Sequence, residues 1–433
     1  MPFIGRKEHF GSLIYDRRRY RYLPLDEFGT RLLQDSLSFS PEELYEHQGF
    51  HRVTTRENFF QTLSLFREEG LLDDRFRFRG SFISQPDPLE VPVEVGRKFL
   101  SAPLRINLAI TQACPLRCKH CINASGKRGP DELSSQDLVS LVDQMAALGI
   151  WGLSIGGGEP FARKDLLDIL DHASRRLVHT ELVTNGILIT KEKAKKLARL
   201  SLKSLGVSVD GSSEEINDAI RGKGAFKKAL RGIQFLKEEG CKNVVLRVTT
   251  TRSVLSELKS FRSLAEKIGC DEVRFKVPVF HGRIGENDSL MPTYDECKQA
   301  FELLSEEFGG NGPSVSFPVE SRNLLEHTGL FSNFGCSAGQ VRAYLDSLGN
   351  LYPCSLLGEE KMCAGNIRHR GLKEMWDHGE SFRFFRRFAG NDFCFSCADY
   401  LKCRGGCRYR AYLASQDVNA PDPWCHQLQG TPR

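Results

Sequence analysis

The chain has 433 residues, a length that ordinarily divides into two or three domains of roughly 150 residues each. Hydrophobic residues make up 40% and charged residues 27%, with a net charge of +5 and a mean hydropathy of −0.34; this is the balance of a folded chain, too mildly basic to argue for a nucleic acid. Neither an apolar run of about 18 residues nor a signal-peptide core follows Met1-Pro2-Phe3-Ile4-Gly5-Arg6-Lys7, so no membrane is expected, the compartment read is cytoplasmic, and the 14 cysteines point to metal ligands or reactive groups rather than a disulfide scaffold.

In residues 1–88, Leu13-Ile14-Tyr15 and Tyr20-Arg21-Tyr22-Leu23 flank the turn Asp16-Arg17-Arg18-Arg19 and read as two short strands. Asp26 is placed to cap a helix that carries Phe28, Leu32 and Leu33 at helical spacing. Ser40-Pro41-Glu42-Glu43 has the cap, the leading proline and the acidic first turn of a second helix. A third is predicted from Thr55 to a terminating Gly70, with Phe59, Phe60, Leu63 and Phe66 inward. Phe76-Arg77-Phe78 and Phe82-Ile83 read as strands, and Gln85-Pro86-Asp87-Pro88 as a linker. The sum is an α+β module that resembles a winged helix.

Across residues 100–285, apolar strand segments at 106–110, 152–155, 180–183, 205–209, 244–248 and 272–277 alternate with amphipathic helical segments such as 134–148 and 191–200. Repeated β-then-α units predict a parallel sheet, closed or partly closed, with its chemistry at the C-terminal strand ends. Over 292–433 the periodicity weakens while cysteine, glycine and aromatics rise, as where a metal framework replaces a large apolar core.

Directly after the first of those strands comes Cys114-Pro115-Leu116-Arg117-Cys118-Lys119-His120-Cys121. Three thiolates so close can wrap one corner of an iron–sulfur cube and leave one iron open; a zinc site with His120 as fourth ligand is the plainer alternative. After the next strand, Gly156-Gly157-Gly158-Glu159-Pro160 is a turn where a ligand can approach the backbone, or simply a tight strand-to-helix connection. With Thr184-Asn185-Gly186 after the third strand and Ser208-Val209-Asp210-Gly211 after the fourth, these motifs in this order resemble the radical S-adenosylmethionine (SAM) enzymes. The resemblance implies an α/β fold, a partial (β/α)6 TIM-like barrel. It also implies a [4Fe–4S] cluster on Cys114, Cys118 and Cys121, its open iron chelated by SAM. Backbone at Gly157, Gly158 and Glu159 would hold the SAM amino group, with Asn185, Ser208, Asp210 and Arg221 as further cofactor contacts. Reductive cleavage would give a 5′-deoxyadenosyl radical that abstracts hydrogen. A surface loop charge is the alternative for Asp210 and Arg221.

A second set, Cys336, Cys354, Cys394, Cys397, Cys403, Cys407 and Cys425, resembles the cysteine-rich SPASM domain, which holds two auxiliary clusters. The resemblance would put Cys394, Cys397, Cys403 and Cys425 on one [4Fe–4S] cluster and Cys336, Cys354 and Cys407 on the other, for three in all. Cys363 is a candidate fourth ligand of the latter, unless that iron stays open to substrate; zinc ribbons are the alternative. Cys241, Cys270 and Cys297 read as inert small hydrophobes.

Residues 1–90 hold 13 Lys+Arg against 15 Asp+Glu, a net negative charge that argues against the DNA reading of a winged helix. His9-Phe10-Gly11-Ser12-Leu13-Ile14-Tyr15-Asp16 followed by three helices resembles instead the recognition element of ribosomal-peptide maturation. There a leader peptide would add a strand to the small sheet, near 20–23, and lie against the third helix. The whole resembles a radical SAM/SPASM peptide maturase that acts on a precursor peptide, forming a carbon–carbon or thioether crosslink or a backbone rearrangement, with a flavodoxin- or ferredoxin-type electron donor. Formylglycine formation, as in anaerobic sulfatase maturation, is the rival within the same chemistry, weakened because Ser355 and not an aspartate follows Cys354. A non-catalytic iron–sulfur carrier or peptide scaffold is the rival of another class.

Overall fold

The computed structural model describes residues 1–83, 99–300, 314–316, 336–386, 391–400 and 405–425, apart from positions 20, 178, 287, 294, 298, 359 and 399. The chain forms two compact units, the first being Met1–Ala102 with Ala147–Gly149. The linker expected at 85–88 lies outside the described residues.

In the first unit, β1 (Phe3–Glu8), β2 (Gly11–Asp16), β3 (Arg21–Leu25) and β4 (Gly80–Phe82) form one sheet in the order β3-β2-β1-β4. β1 pairs antiparallel with β2 and parallel with β4. The helices are α1 (Glu27–Asp35), α2 (Pro41–His47) and α3 (Arg56–Glu68). Each starts at the polar residue placed to cap it: the Asp26 carboxylate accepts from the Gly29 N–H, Ser40 and Glu43 form a reciprocal box, and Thr55 accepts from the Asn58 N–H. Phe3, Ile14, Leu32, Leu33, Phe59 and Leu63 are buried in the core between helices and sheet, whereas Phe60 and Phe66 are only partly buried. Two expectations change. β1 is a strand that its charged half, Arg6-Lys7-Glu8, conceals from an apolar-pattern reading. Phe76–Phe78 is no strand, because the Asp73 carboxylate takes the N–H groups of Arg75 and Arg77 (both 2.9 Å) and Phe76 turns to φ +56, leaving one bridge from Phe78 to Leu72.

In the second unit, β5 (Arg105–Ala109), β6 (Gly152–Gly156), β7 (His179–Thr184), β8 (Ser204–Ser208), β9 (Val244–Thr249) and β10 (Glu272–Lys276) run parallel in chain order. β11 (Ser314–Ser316) extends the sheet beyond β10; β12 (Arg342–Leu345) lies parallel against β5 and hairpins into β13 (Leu351–Tyr352). The helices α4 (Ser135–Ala147), α5 (Leu166–Arg176), α6 (Lys191–Leu197), α7 (Glu214–Arg221), α8 (Ala225–Glu238), α9 (Arg252–Leu255) and α10 (Ser260–Ile268) alternate with the strands. Thus the cysteine-rich segment supplies strands to the same sheet as the barrel.

Strand alternation sorts each strand into two faces. Ile106, Leu153, Leu182, Val207, Leu246 and Phe275 stand in one row and are each at most 1% exposed. The facing row, Asn107, Ser154, Glu181, Ser208, Arg247 and Lys276, is polar, and all but Glu181 stay partly open. The barrel is therefore sealed on its helix side and carries an open polar lumen, unlike an interior filled with branched apolar side chains. Leu246→Ala should lower the unfolding free energy by about 2–5 kcal/mol and Ser154→Ala by well under about 1 kcal/mol, read by denaturant melts. His179 heads the lumen row of β7; burial, with Lys203 and Arg105 adding, pushes its imidazole down to about 3. The native state then keeps it neutral while the unfolded chain protonates it near 6.5, so its contribution is complete above that pH and is lost on acidification toward 3. His179→Gln should flatten this acid limb by up to about 1.4 kcal/mol per pH unit.

Candidate metal and cofactor site

The loop after β5 carries Cys114, Cys118 and Cys121 and is fastened along its length. The Cys114 N–H donates to Gly126 O (2.8 Å) and the Gly126 N–H to Gln112 O (3.0 Å). The buried Glu132 carboxylate braces the entry, accepting from Thr111 Oγ1 (2.8 Å) and the Gln112 N–H (2.6 Å). Lys119 N–H reaches Ile220 O in α7 (3.0 Å). From the turn after β10, Arg283 donates through Nε to Cys118 O (2.9 Å) and through Nη1 to Ser125 O (3.0 Å). Sequence reading passed over Arg283, and no local signal marks it, since it lies 165 positions from Cys118.

The glycine turn after β6 abuts this loop. The Gly158 N–H donates to Thr111 O (2.8 Å) and the Glu159 N–H to Ala113 O (2.7 Å). Gly157 has φ +110, and a Cβ there would stand 2.7 Å from Thr111 O; one on Gly158 would stand 2.4 Å from Ala113 O. Only glycine lets the two backbones meet. The Glu159 side chain is fully buried: Oε1 accepts from the Phe161 N–H (3.0 Å) and Thr184 Oγ1 (2.7 Å), Oε2 from the Asn185 N–H (2.8 Å). Burial pushes this carboxyl up, and those donors oppose it. Asn185, so held, points Nδ2 at Cys114 Sγ (3.8 Å).

Asp210, wholly buried beyond β8, gathers the remaining groups. Its Oδ2 meets His120 Nε2 (2.5 Å) and stands 2.6 Å from Arg221 Nε, while Oδ1 accepts from the Thr249 N–H (2.7 Å). Burial alone would raise its pKa; Arg221 and His120 outweigh it and hold the carboxyl far below the usual range. Arg221 is buried rather than a surface charge, and lies in the field of Cys118 and Cys121. Ser208 ends β8 on the lumen face.

The three thiols feel one another. Burial raises Cys114, with Glu159 and Cys121 adding; it pushes Cys118 up to about 11, with Arg221 opposing and Asp210, Cys121 and Cys114 adding. Cys114 and Cys118, so disfavoured as thiolates, ionise when a metal's positive charge is present. One polar atom of the loop, His120 Nδ1, is buried with no hydrogen-bond partner among the described residues, a cost expected only where a further group completes the site. Among the described residues no three His, Cys, Asp or Glu side chains draw close enough for a single metal ion, whereas the corners of a cube stand wider apart. The residues fit an iron–sulfur cluster with a polar cofactor beside it.

Of the second set, Cys336, Cys354 and Cys407 come together: burial pushes Cys336 up to about 12 with Cys407 and Cys354 adding, and Cys354 up to about 11 with Cys407 adding. Cys363 packs on the same apolar cluster as these three, its thiol 3.5 Å from Gly365 O. Asp422 ties the Cys407 segment to the Cys425 segment, accepting from the Cys407 N–H (2.6 Å) and from Arg410 Nε (2.8 Å). Cys394 and Cys397 adjoin through a short helix capped by Asn391, and Cys403 lies outside the described residues. Cys241, Cys270 and Cys297 are buried elsewhere.

Comparison with known proteins agrees with this geometry. Residues 108–257 match the radical SAM superfamily and residues 336–398 an iron–sulfur cluster-binding domain, SPASM. Mycofactocin maturase MftC of Mycolicibacterium smegmatis is 33% identical over 348 residues, 80% of this chain and 88% of that one. The chain belongs to the radical SAM/SPASM peptide maturases. An AdoMet-dependent heme synthase of Methanosarcina barkeri is 30% identical over 75% of this chain and 97% of its own. Streptococcus suis SuiB bound to SAM shares the fold (TM-score 0.73, 17% identity) over 98% of this maturase and 99% of its own length. The same protein has been solved with its precursor peptide SuiA. The chain is thus a radical SAM enzyme of iron–sulfur and SAM chemistry, and no helix among its described residues is long and apolar enough to cross a membrane. Glu159→Gln should cost about 1–3 kcal/mol in a thermal melt, because the new amide must set an NH2 against the N–H of Phe161 or Asn185.

Proposed function

We propose that this maturase holds a [4Fe–4S] cluster on Cys114, Cys118 and Cys121, binds SAM beside it, and recruits its precursor by the leader through the first unit. The observation that carries this reading is the meeting, at one barrel mouth, of the cysteine loop, the orphaned His120 Nδ1 and the buried Asp210–Arg221 pair. When bound, cluster and SAM supply a 5′-deoxyadenosyl radical able to abstract hydrogen. The protein's part is positioning. Backbone at Gly157, Gly158 and Glu159 would hold the SAM amino group, and Arg221, steadied by Asp210, would neutralise its carboxylate. Asn185 steadies the cluster edge at Cys114, and Ser208 offers a hydroxyl from the lumen face. Glu159 and Asp210 act through these neighbours, since their own carboxylates are taken.

Cys336, Cys354 and Cys407, with Cys363 as fourth ligand, hold one auxiliary cluster; Cys394, Cys397, Cys403 and Cys425 hold another; a flavodoxin- or ferredoxin-type protein of the cytoplasm supplies electrons. The leader adds to β3, which lies at the edge of its sheet, and meets α3 along the exposed Leu65 and the partly buried Phe66. The products that fit are a carbon–carbon or thioether crosslink or a backbone rearrangement. Formylglycine formation is less well supported, Ser355 standing where that chemistry's aspartate is expected.

Anaerobically reconstituted protein given SAM and dithionite should release 5′-deoxyadenosine and carry about 12 irons per chain. Cys118→Ala should abolish that release and still bind leader peptide with native affinity by calorimetry. Absence of 5′-deoxyadenosine from the natural protein would falsify the reading.

A further inference from the structure

The lumen row of β9 and β10 holds charge that the site above leaves unused. Strand register sets Arg274 beside Arg247, Lys276 beside Thr249, and Arg247 beside Ser208. The lumen's carboxylates are already engaged. Glu181 is held by Arg105 (2.7 Å) and Lys203 (3.9 Å), and Glu272 takes both Nε (3.0 Å) and Nη2 (2.7 Å) of Arg274. That leaves Arg247 and Lys276, neither of which makes a side-chain hydrogen bond or ion pair among the described residues.

Lys276 closes β10 at its C-terminal end and is exposed, yet burial depresses its ammonium, with Arg247 and Arg342 pushing the same way and Cys354 opposing. Lys276 is thus open to water yet crowded by protein on the lumen face. Arg247 is half-open; burial, with Arg274 adding, brings it down to about 10, so it stays charged at neutral pH. Two unpaired cations offset by two residues on neighbouring strands of one face repel each other, and a barrel wall gains nothing from them by packing. A cluster on Cys354 answers at most for Lys276, since Arg247 feels Arg274, Glu181 and Arg105 but not that thiol.

We propose that Arg247 and Lys276 form an anion subsite in the lumen that takes a carboxylate of the substrate peptide, an inference that rests on the peptide-maturase reading. A carboxylate suits the pair, one oxygen to a guanidinium and one to an ammonium, both in charge-assisted bonds. Binding it there orients one residue of the peptide inside the barrel, and an uncharged analogue is rejected because it leaves both cations unanswered.

The test uses the full-length reconstituted enzyme and the synthetic peptide encoded beside its gene. The peptide is made in natural form and with each carboxylate of its core, the C-terminus included, converted in turn to the carboxamide. One conversion should cut kcat/KM tenfold or more. Lys276→Met and Arg247→Gln should each lose a comparable factor on the natural peptide, and on that one amide they should lose no further. Lys276→Arg, which keeps the charge, should retain the preference for acid over amide. Amides all accepted within about twofold, losses that multiply as independent factors, or a Lys276→Arg enzyme as indifferent as Lys276→Met would each overturn the subsite. No product from any peptide form, with SAM still cleaved, would instead strike the maturase reading beneath it.

Discussion

Two backbone hydrogen bonds, from the Gly158 N–H to Thr111 O and from the Glu159 N–H to Ala113 O, tie the turn after β6 to the loop after β5. They form only because neither Gly157 nor Gly158 has a Cβ to hold the chains apart. Everything at the barrel mouth inherits its position from this contact. The first cysteine follows Ala113 directly, Glu159 reaches from the turn to the Asn185 N–H, and Asn185 in turn points back at Cys114. Three successive β-to-α connections are thereby locked through one glycine pair and one buried carboxylate. A functional centre assembled from loops needs such a supporting shell to keep its geometry.

The electrostatics follow the same logic from the other side. A carboxylate as buried as Asp210 is costly unless its oxygens are satisfied, and here a histidine, an arginine and a backbone amide satisfy them. The effect is to fix His120, which lies between two of the cysteines, and Arg221, whose charge bears on Cys118 and Cys121. His120 nevertheless keeps its Nδ1 without a hydrogen-bond partner among the described residues.

Much of this was legible beforehand for physical reasons. Helix starts were marked by Asp26, Ser40 and Thr55, whose side chains act on the N–H groups just ahead of them and so leave a local signature. The six barrel strands showed as apolar segments because the helix-facing row is continuous. The lumen row was hidden inside the same segments, since residues such as Asn107 and Ser154 interrupt an apolar pattern without breaking it. β1 escaped because its charged residues sit in a strand. Arg6 is buried and paired with Glu8 (2.7 Å), a satisfaction that composition does not reveal. The cysteine loop was plain from spacing, but its clasp by Arg283 and Glu132 was not, as both act across the fold. Asp210 and Arg221 were expected as cofactor contacts, while the place of Asp210 as the hub beneath Arg221 belongs to tertiary geometry alone.

The two faces of the barrel divide the work of the protein. Apolar burial that holds the sheet together is confined to the row beneath the helices, where Leu153, Leu182, Val207 and Leu246 are fully enclosed. The lumen row is released from that duty and can carry groups that would weaken a packed core. Mutual repulsion between Arg247 and Lys276 is tolerable because water reaches both, and their fixed stations on neighbouring strands keep them from swinging apart to relieve it. A cost retained on the one face that packing does not require is where sequence and stability part company, and such departures are characteristic of surfaces shaped for a ligand.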